Sequence, residues 1–121
     1  MAKKKTEEIT CPLEYGLQLF GGKWESKIIC VLSDNRQLRY GAIRDKVEGI
    51  TDAALGNTLK KLVSEGLIDR IQYTEIPPRV EYALTGHGRE LWPILHRLAH
   101  WAVGEDFDGD GKESSQTDEE P

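Results

Sequence analysis

A change in the spacing of apolar residues limits the folds open to this chain of 121 residues. Leu55, Leu59 and Leu62 recur every three or four positions, which is the spacing of one face of a helix. In 71–73 and 80–84, apolar residues instead alternate with polar ones, which is the spacing of a β-strand. The chain therefore predicts a helix followed directly by a β-hairpin.

The turn of that hairpin, at 74–79, differs from the turn of a hairpin that serves folding alone. It holds two adjacent prolines followed by Arg79, where a tight turn would carry Asn-Gly or Asp-Gly. Prolines keep an exposed loop extended with little entropy left to lose on binding. Arg79 is placed to reach a phosphate or a minor groove, or alternatively to pair with Glu75 or Glu81. We therefore interpret 74–79 as the tip of a binding wing.

The remaining segments complete a helix-turn-helix pattern. Gly49 allows a tight turn, and Thr51 is an N-cap residue for the helix that follows. Pro93 predicts a kink or an interruption in the last helix. A short helix, a turn, a capped helix and a hairpin predict a winged helix-turn-helix fold, mainly α with a β-hairpin wing (α+β). The predicted helices are 11–20, 23–34, 40–47, 51–65 and 86–103.

Composition and charge divide the chain into three parts. Residues 1–10 form a polar arm without the apolar run of a signal peptide, so we expect a cytoplasmic protein. Residues 11–104 form the predicted domain, and no apolar run approaches the roughly 20 residues of a membrane span. Residues 105–121 predict a disordered acidic tail of net charge −7, whereas the rest of the chain carries +2. A mildly basic domain permits nucleic-acid binding.

Four stretches of the chain carry a resemblance to a known family: CPLEYGLQLFGGKW (11–24), LRYGAIR (38–44), GITDAALGNTLKKLVSEGLIDR (49–70) and PPRVEYALTGHGREL (77–91). They resemble the HxlR-type winged helix-turn-helix regulators, which are relatives of the MarR group. The resemblance implies a bacterial or archaeal transcription regulator that binds double-stranded DNA at a pseudo-palindromic operator as a homodimer. It further implies pairing through the first and last helices and, in some members, sensing of oxidants or electrophiles through a cysteine near the N-terminus.

The predicted DNA-binding residues lie on the helix 51–65 and beside it. With its leucines turned inward, this helix presents an outward face to a major groove. The Asn57 amide can pair bidentately with adenine, and Lys60 and Lys61 are placed to meet phosphates. The glycine at position 56 indicates either that the helix backbone approaches DNA closely or that an exposed position has changed by evolutionary drift. The full predicted set is Arg39, Thr51, Ala53, Gly56, Asn57, Lys60, Lys61 and Arg79.

The first and last helices carry the predicted dimer contacts and the predicted sensor. Cys11 lies at a helix N-cap, where the helix dipole favours a reactive thiolate, or else it packs at the dimer seam without a sensing role. Cys30 lies in an apolar run and is expected in the core. The last helix either pairs with a second copy or packs as an intramolecular core helix. The predicted dimer residues are Leu13, Leu17, Leu91, Ile94, Leu95, Leu98 and Trp101.

Other functions have less support in the sequence. His96 and His100 have a zinc-like spacing without a third ligand, and the calcium-like run at 106–117 has Thr117 where a glutamate is required. We therefore expect no metal, no cofactor and no enzymatic activity. The sequence does not indicate which small-molecule effector, if any, the protein binds. The alternative function is a winged-helix protein-interaction module that does not bind DNA, which Asp52 and Gly56 favour slightly.

Overall fold

The computed structural model describes residues 9–104, which form five helices and one three-stranded antiparallel sheet. Most of the predicted arm and all of the predicted acidic tail, with its calcium-like run, lie outside the described residues. The order of elements confirms the predicted winged helix-turn-helix. The elements are α1 (Pro12–Phe20), α2 (Glu25–Ser33), β1 (Leu38–Arg39), α3 (Tyr40–Lys46), α4 (Asp52–Ser64), β2 (Ile68–Tyr73), β3 (Arg79–Leu84) and α5 (Gly86–Val103).

The core is built from one face of each of α2, α3 and α4, closed by the sheet and by α5. Ile28 and Ile29 of α2, Ile43 of α3 and Leu55 and Leu62 of α4 are completely buried. Burial of each such side chain stabilises the fold by about 1.5–3 kcal/mol. Because α4 contributes its leucines to this core, its orientation relative to the rest of the domain is fixed.

The turn between α3 and α4 follows the predicted chemistry. Gly49 has a φ of 86°, a left-handed conformation that a residue with a side chain rarely adopts. The Thr51 hydroxyl accepts a hydrogen bond from the Ala54 amide at 3.1 Å, so Thr51 is the N-cap. Ile50 and Leu55 are both buried on either side of this cap. These contacts set the angle at which the chain enters α4.

The sheet holds the wing beside α4. β3 is the central strand, paired with β1 through Leu38 and Tyr82 and with β2 over its whole length. The last pair before the tip is Tyr73 with Arg79, which leaves 74–78 as an exposed loop. The sequence predicted a loop or a short strand at 35–39, and the structure contains a strand of two residues there.

The start of α5 is fixed by two residues that contact the turn before β2. Thr85 caps α5 by accepting from the Gly88 amide at 2.9 Å and donates to the Gly66 carbonyl at 2.7 Å. A Cβ on Gly88 would lie 2.2 Å from the Leu67 carbonyl oxygen, so only glycine fits. Of the kink or interruption predicted at Pro93, the interruption is wrong, because α5 continues to Val103. Pro93 lies on the exposed side of the helix, where a carbonyl without its helical partner can meet water.

None of the helices within 9–104 combines the length and the apolar character that crossing a membrane requires.

Candidate nucleic-acid interface

The outward face of α4 is open to solvent. Ala53, Asn57, Lys60 and Ser64 are exposed, as is the capping Thr51, while the leucines on the opposite side are buried. The predicted division of this helix into an inner and an outer face is therefore confirmed. A helix braced from behind, with short and polar side chains in front, matches the width of a DNA major groove.

Gly56 lies at the edge of this face and not in its middle. It is half-buried, and a Cβ built on it would point toward α3, 3.7 Å from the Tyr40 hydroxyl. The same hydroxyl donates a hydrogen bond to the Asp52 carbonyl at 2.9 Å. Position 56 therefore faces the α3–α4 contact more than the solvent.

Asp52 does not present an uncompensated acid to this face. Its carboxylate accepts a hydrogen bond from Arg44 Nη1 at 2.8 Å, and this bond raises the pKa of Arg44 above its already high value. The pair joins α3 to the first turn of α4. Its two charges cancel, so the pair neither attracts nor repels phosphate strongly.

Lys61 lies on a different side of α4 from Lys60. Its Nζ donates to the Gln18 carbonyl at 2.8 Å and to Glu25 Oε2 at 2.7 Å. Glu25 is buried, so Lys61 neutralises a carboxylate inside the fold. This geometry assigns Lys61 to the anchoring of α4 on α1 and α2 and removes it from the outward face.

The two arginines of the sheet, Arg79 and Arg39, differ in how firmly they are paired within the protein. Arg79 pairs with Glu75 at 2.9 Å and with Glu81 at 3.3 Å, and its guanidinium stacks 3.9 Å from the centre of the Tyr73 ring. The structure thus contains the intramolecular pairing that the sequence left open. Arg39 has a loose contact with Glu81 at 3.8 Å, and 65% of its side chain is exposed. Arg39 is consequently the freer of the two cations beside α4.

Gln37 is a residue of this region that the sequence did not reveal. Its amide donates to the Tyr73 hydroxyl at 2.8 Å and to the Glu81 carboxylate, and it thereby joins the loop before β1 to both strands of the wing. The partners are 36 and 44 residues away in the chain, so no local pattern identifies them. The contact orients the wing relative to α3 and α4.

A second exposed surface lies across α1 and α5. α1 contains no buried residue, and 78% of Trp101 is exposed. Between the two helices lies an apolar groove of about 530 Å³. The exposed apolar side chains of this surface, which we call the α1–α5 face, are Leu13, Leu17, Ile94, Leu98 and Trp101.

One of the predicted dimer residues, Leu95, faces the core, whereas Leu91 lines the α1–α5 groove. Leu95 is only 7% exposed and belongs to the intramolecular core, and Leu91 is partly buried against that core. The position of Leu95 on a helix whose other side is open explains the error, because an apolar stripe wider than one face supplies both the core and an exposed surface. The α1–α5 face therefore excludes Leu95.

The two cysteines differ in their surroundings. Cys11 is exposed at the N-cap of α1, with no side-chain cap hydrogen bond, and Cys30 is half-buried in α2. Within the described range 9–104, no three His, Cys, Asp or Glu side chains are grouped as a metal site would require. The thiol of Cys11 is thus accessible to reagents in solution.

An exposed helix beside a β-wing, on this order of elements, defines a protein of the winged helix-turn-helix class. The chain belongs to the HxlR-like helix-turn-helix family, whose family model matches residues 19–107. The resemblance predicted from the four sequence stretches is thereby confirmed. As a member of this family, the protein is a transcriptional regulator of the helix-turn-helix type.

Relatives and solved structures agree with this assignment. An uncharacterized HTH-type transcriptional regulator of Methanothermobacter thermautotrophicus is 43% identical over 95 residues, covering 78% of this chain and 72% of the relative. A crystal structure from Porphyromonas gingivalis W83, assigned to the MarR family, is 38% identical, with a TM-score of 0.68 over 84% of this chain and 97% of that one. The redox regulator HypR in its oxidized form is 33% identical, with a TM-score of 0.71 over 81% and 100%.

Proposed function

We propose that this protein is a sequence-specific, double-stranded DNA-binding regulator that acts as a homodimer. The observation that carries the proposal is the outward face of α4, which is exposed along its length and braced by buried leucines. In a dimer, two such helices would enter successive major grooves about 34–36 Å apart. The operator would then be pseudo-palindromic.

The residues of the interface divide by chemistry. Asn57 is the base reader, because an exposed amide can make two hydrogen bonds to one adenine. Thr51 and Ala53 lie at the N-terminal end of α4, where a recognition helix approaches base edges. Lys60 and Arg39 contact phosphates and fix the register. Arg79 contributes only by exchanging Glu75 for a phosphate, since it is already paired.

The α1–α5 face supports the homodimer. Monomeric proteins rarely expose a continuous apolar patch of this kind, because it attracts a partner. A second copy offers an identical patch, and a two-fold axis through it would pair α1 and α5 of both protomers. The same axis would place the two α4 helices symmetrically on DNA.

Light scattering and fluorescence anisotropy test the two parts separately. The protein should have twice the chain mass in solution, and a Trp101→Ala variant should shift it toward the monomer. A labelled random duplex should bind weakly at low salt and lose affinity steeply as salt rises, because phosphate contacts release counterions. A protein that stays monomeric and binds no duplex at low salt is not the regulator proposed.

We further propose that Cys11 makes this regulator responsive to oxidants or electrophiles. Its thiol is exposed at the N-cap of α1, within reach of reagents in solution. One structural neighbour is named a redox regulator, which supports the same role. Cys11 lies next to the α1–α5 face, so modification of its thiol would change the geometry of the dimer.

The alternative, a winged-helix protein-interaction module, has one observation in its favour. Arg44 and Arg79 are both neutralised by carboxylates, so the surface around α4 holds fewer free cations than its arginine count indicates. A module of this kind should show no salt-dependent binding to random duplex. The anisotropy measurement therefore separates the two functions.

A further inference from the structure

The tip of the wing carries a large apolar side chain that is fully open to solvent. Ile76 is 100% exposed. The other large apolar side chains that are exposed within residues 9–104 all belong to α1 or α5, the helices that form the α1–α5 face. Neither the core nor the α1–α5 face therefore accounts for an isoleucine at this position.

The residues on both sides of Ile76 hold its backbone in place. The Glu75 amide donates to the Tyr73 carbonyl at 3.0 Å, and the Glu75 carboxylate accepts from Arg79 Nη2 at 2.9 Å. The two prolines that follow Ile76 have a fixed φ, which leaves the backbone little freedom on that side as well. The isoleucine is thus presented by a loop that has little entropy to lose on binding.

Arg79 belongs to the frame of the wing and not to its outermost surface. Its guanidinium stacks on the Tyr73 ring, and its Nε is enclosed by the protein. Both of its carboxylate partners, Glu75 and Glu81, belong to the wing as well. With its one arginine engaged in this way, the wing offers an apolar group at its tip and no free cation.

The wing extends toward the N-terminal end of α4. Arg39 lies 3.8 Å from Glu81 of the wing, and the next residue, Tyr40, donates to the Asp52 carbonyl in the first turn of α4. Strand β2 starts just after the C-terminal end of α4, and both elements are about 20 Å long. The tip therefore lies near the end of α4 that approaches base edges, on the side of the minor groove next to the major groove that α4 would occupy.

We propose that Ile76 enters this minor groove and inserts between two base pairs as an apolar wedge. The wedge rests on the proposed function and adds to it a residue that determines specificity without a hydrogen bond to a base. An apolar side chain inserted in this way partly unstacks a base step and kinks the duplex by about 20–90°. The cost is lowest at flexible pyrimidine–purine steps, so each half-site should contain such a step beside the bases that α4 reads.

Two measurements on DNA test the wedge. In duplexes selected from a random pool, wild type should enrich a pyrimidine–purine step at a fixed distance from the bases that α4 reads. Energy transfer between dyes at the two ends of a selected duplex should show that wild type bends it. Ile76→Ala should lose the enrichment, the bend and about tenfold of the affinity, because a methyl group is too short to separate bases. The slope of log affinity against log salt should stay the same, since no phosphate contact changes.

Two further variants serve as controls. Ile76→Leu keeps an apolar side chain of the same size and should keep both the bend and the enriched step. Asn57→Ala should lose a base preference at a position that α4 reads and keep the bend, because it leaves the wing unchanged. Since Ile76 is fully exposed, Ile76→Ala should unfold at the same urea concentration as wild type, so a loss of DNA affinity does not come from unfolding.

Three results would overturn the wedge and leave the regulator intact. A straight duplex in the wild-type complex excludes insertion, whatever the affinity. A bend that persists in Ile76→Ala assigns the kink to another residue. Unchanged affinity of Ile76→Ala for the selected duplex shows that the isoleucine serves another partner, such as an apolar pocket of a protein. A wild-type chain that binds no duplex at low salt refutes the proposed function, and the wedge with it.

Discussion

Lys61 Nζ lies 2.7 Å from Glu25 Oε2, on the side of α4 that faces α1 and α2. Lys60, its neighbour in sequence, is exposed on the outward face of the same helix. A rotation of about 100° per residue separates two identical side chains. One neutralises a buried acid, and the other is available to a phosphate.

Replacing each lysine by methionine separates stability from DNA binding. Lys61→Met should lower the free energy of unfolding by about 1–3 kcal/mol, because the buried Glu25 carboxylate loses its partner; with 39% of the Lys61 side chain exposed, the loss should fall short of the full cost of a buried pair. Lys60→Met should stay within about 0.5 kcal/mol of wild type. Urea denaturation measures both values. Equal stability of the two variants would contradict the structural role of Lys61.

In DNA binding, Lys60→Met should differ from wild type and Lys61→Met should not. Loss of one phosphate contact at Lys60 should reduce the slope of log affinity against log salt by about 0.9. Lys61→Met, measured at a temperature where it is folded, should keep the wild-type slope. A reduced slope in Lys61→Met alone would return this lysine to the interface.

The fold could be predicted from the sequence where local chemistry decides it. The N-cap at Thr51, the glycine turn at Gly49 and the alternating strands each depend on neighbouring residues, and all are present. Contacts between residues that are far apart in the sequence could not be predicted in the same way. Lys61 pairs with Glu25 over 36 residues, and Leu95 turns into the core although its helix is apolar well beyond one face.

The close packing at Gly88 is a second feature that could not be predicted from neighbouring residues. Its requirement for glycine comes from the Leu67 carbonyl, which approaches from the turn before β2. Nothing near position 88 in the sequence signals that approach, whereas the prolines of the wing signal an exposed loop by themselves. The outward residues of α4 could be predicted because the helical period alone assigns them a side.

Gly56→Ala tests whether the helix backbone must approach DNA closely. The added methyl group meets the Tyr40 hydroxyl at an ordinary contact distance of 3.7 Å, so the variant should gain up to about 1 kcal/mol of stability from helix propensity. DNA affinity should change by less than about twofold, because the methyl group points toward α3 and not outward. A large loss of affinity without loss of stability would show that glycine serves close approach.

Asn57→Ala should relax base preference at one position of each half-site. Loss of a bidentate contact costs about 1–3 kcal/mol of discrimination, whereas binding to random duplex depends on phosphates and should be unchanged. Selection of bound duplexes from a random pool, for wild type and variant, measures the effect position by position. A uniform loss across all sequences would mean that Asn57 does not read a base.

Cys11→Ser should abolish any response of DNA binding to diamide or to a quinone while leaving binding in the reduced state intact. Serine is close to cysteine in size and is compatible with the N-cap position, so the change removes the thiol chemistry without disrupting α1. Cys30→Ser is the matched variant and should still respond, because Cys30 is half-buried in α2. A response lost only in Cys30→Ser would transfer the role to that residue.

Tyr15 provides a test of the contact between α1 and α4 that depends on pH. Its hydroxyl donates to Glu65 Oε1 at 2.8 Å, and partial burial, followed by this hydrogen bond, raises the pKa of Tyr15 above its ordinary value of 10.0. Because the folded state holds the proton more tightly than the unfolded state, the stabilisation is complete below pH 10 and is lost as pH rises through the folded pKa.

Tyr15→Phe should therefore be less stable than wild type by about 0.5–1.5 kcal/mol at neutral pH, where the hydrogen bond is intact. The difference should shrink above pH 10, because ionisation of Tyr15 then stabilises the unfolded state of wild type alone, while the folded state still holds the proton. Lysines also titrate there, but they do so equally in both proteins and cancel in the difference. Denaturation curves of the pair at several pH values measure it, and a difference that grows with pH would contradict the raised pKa of Tyr15.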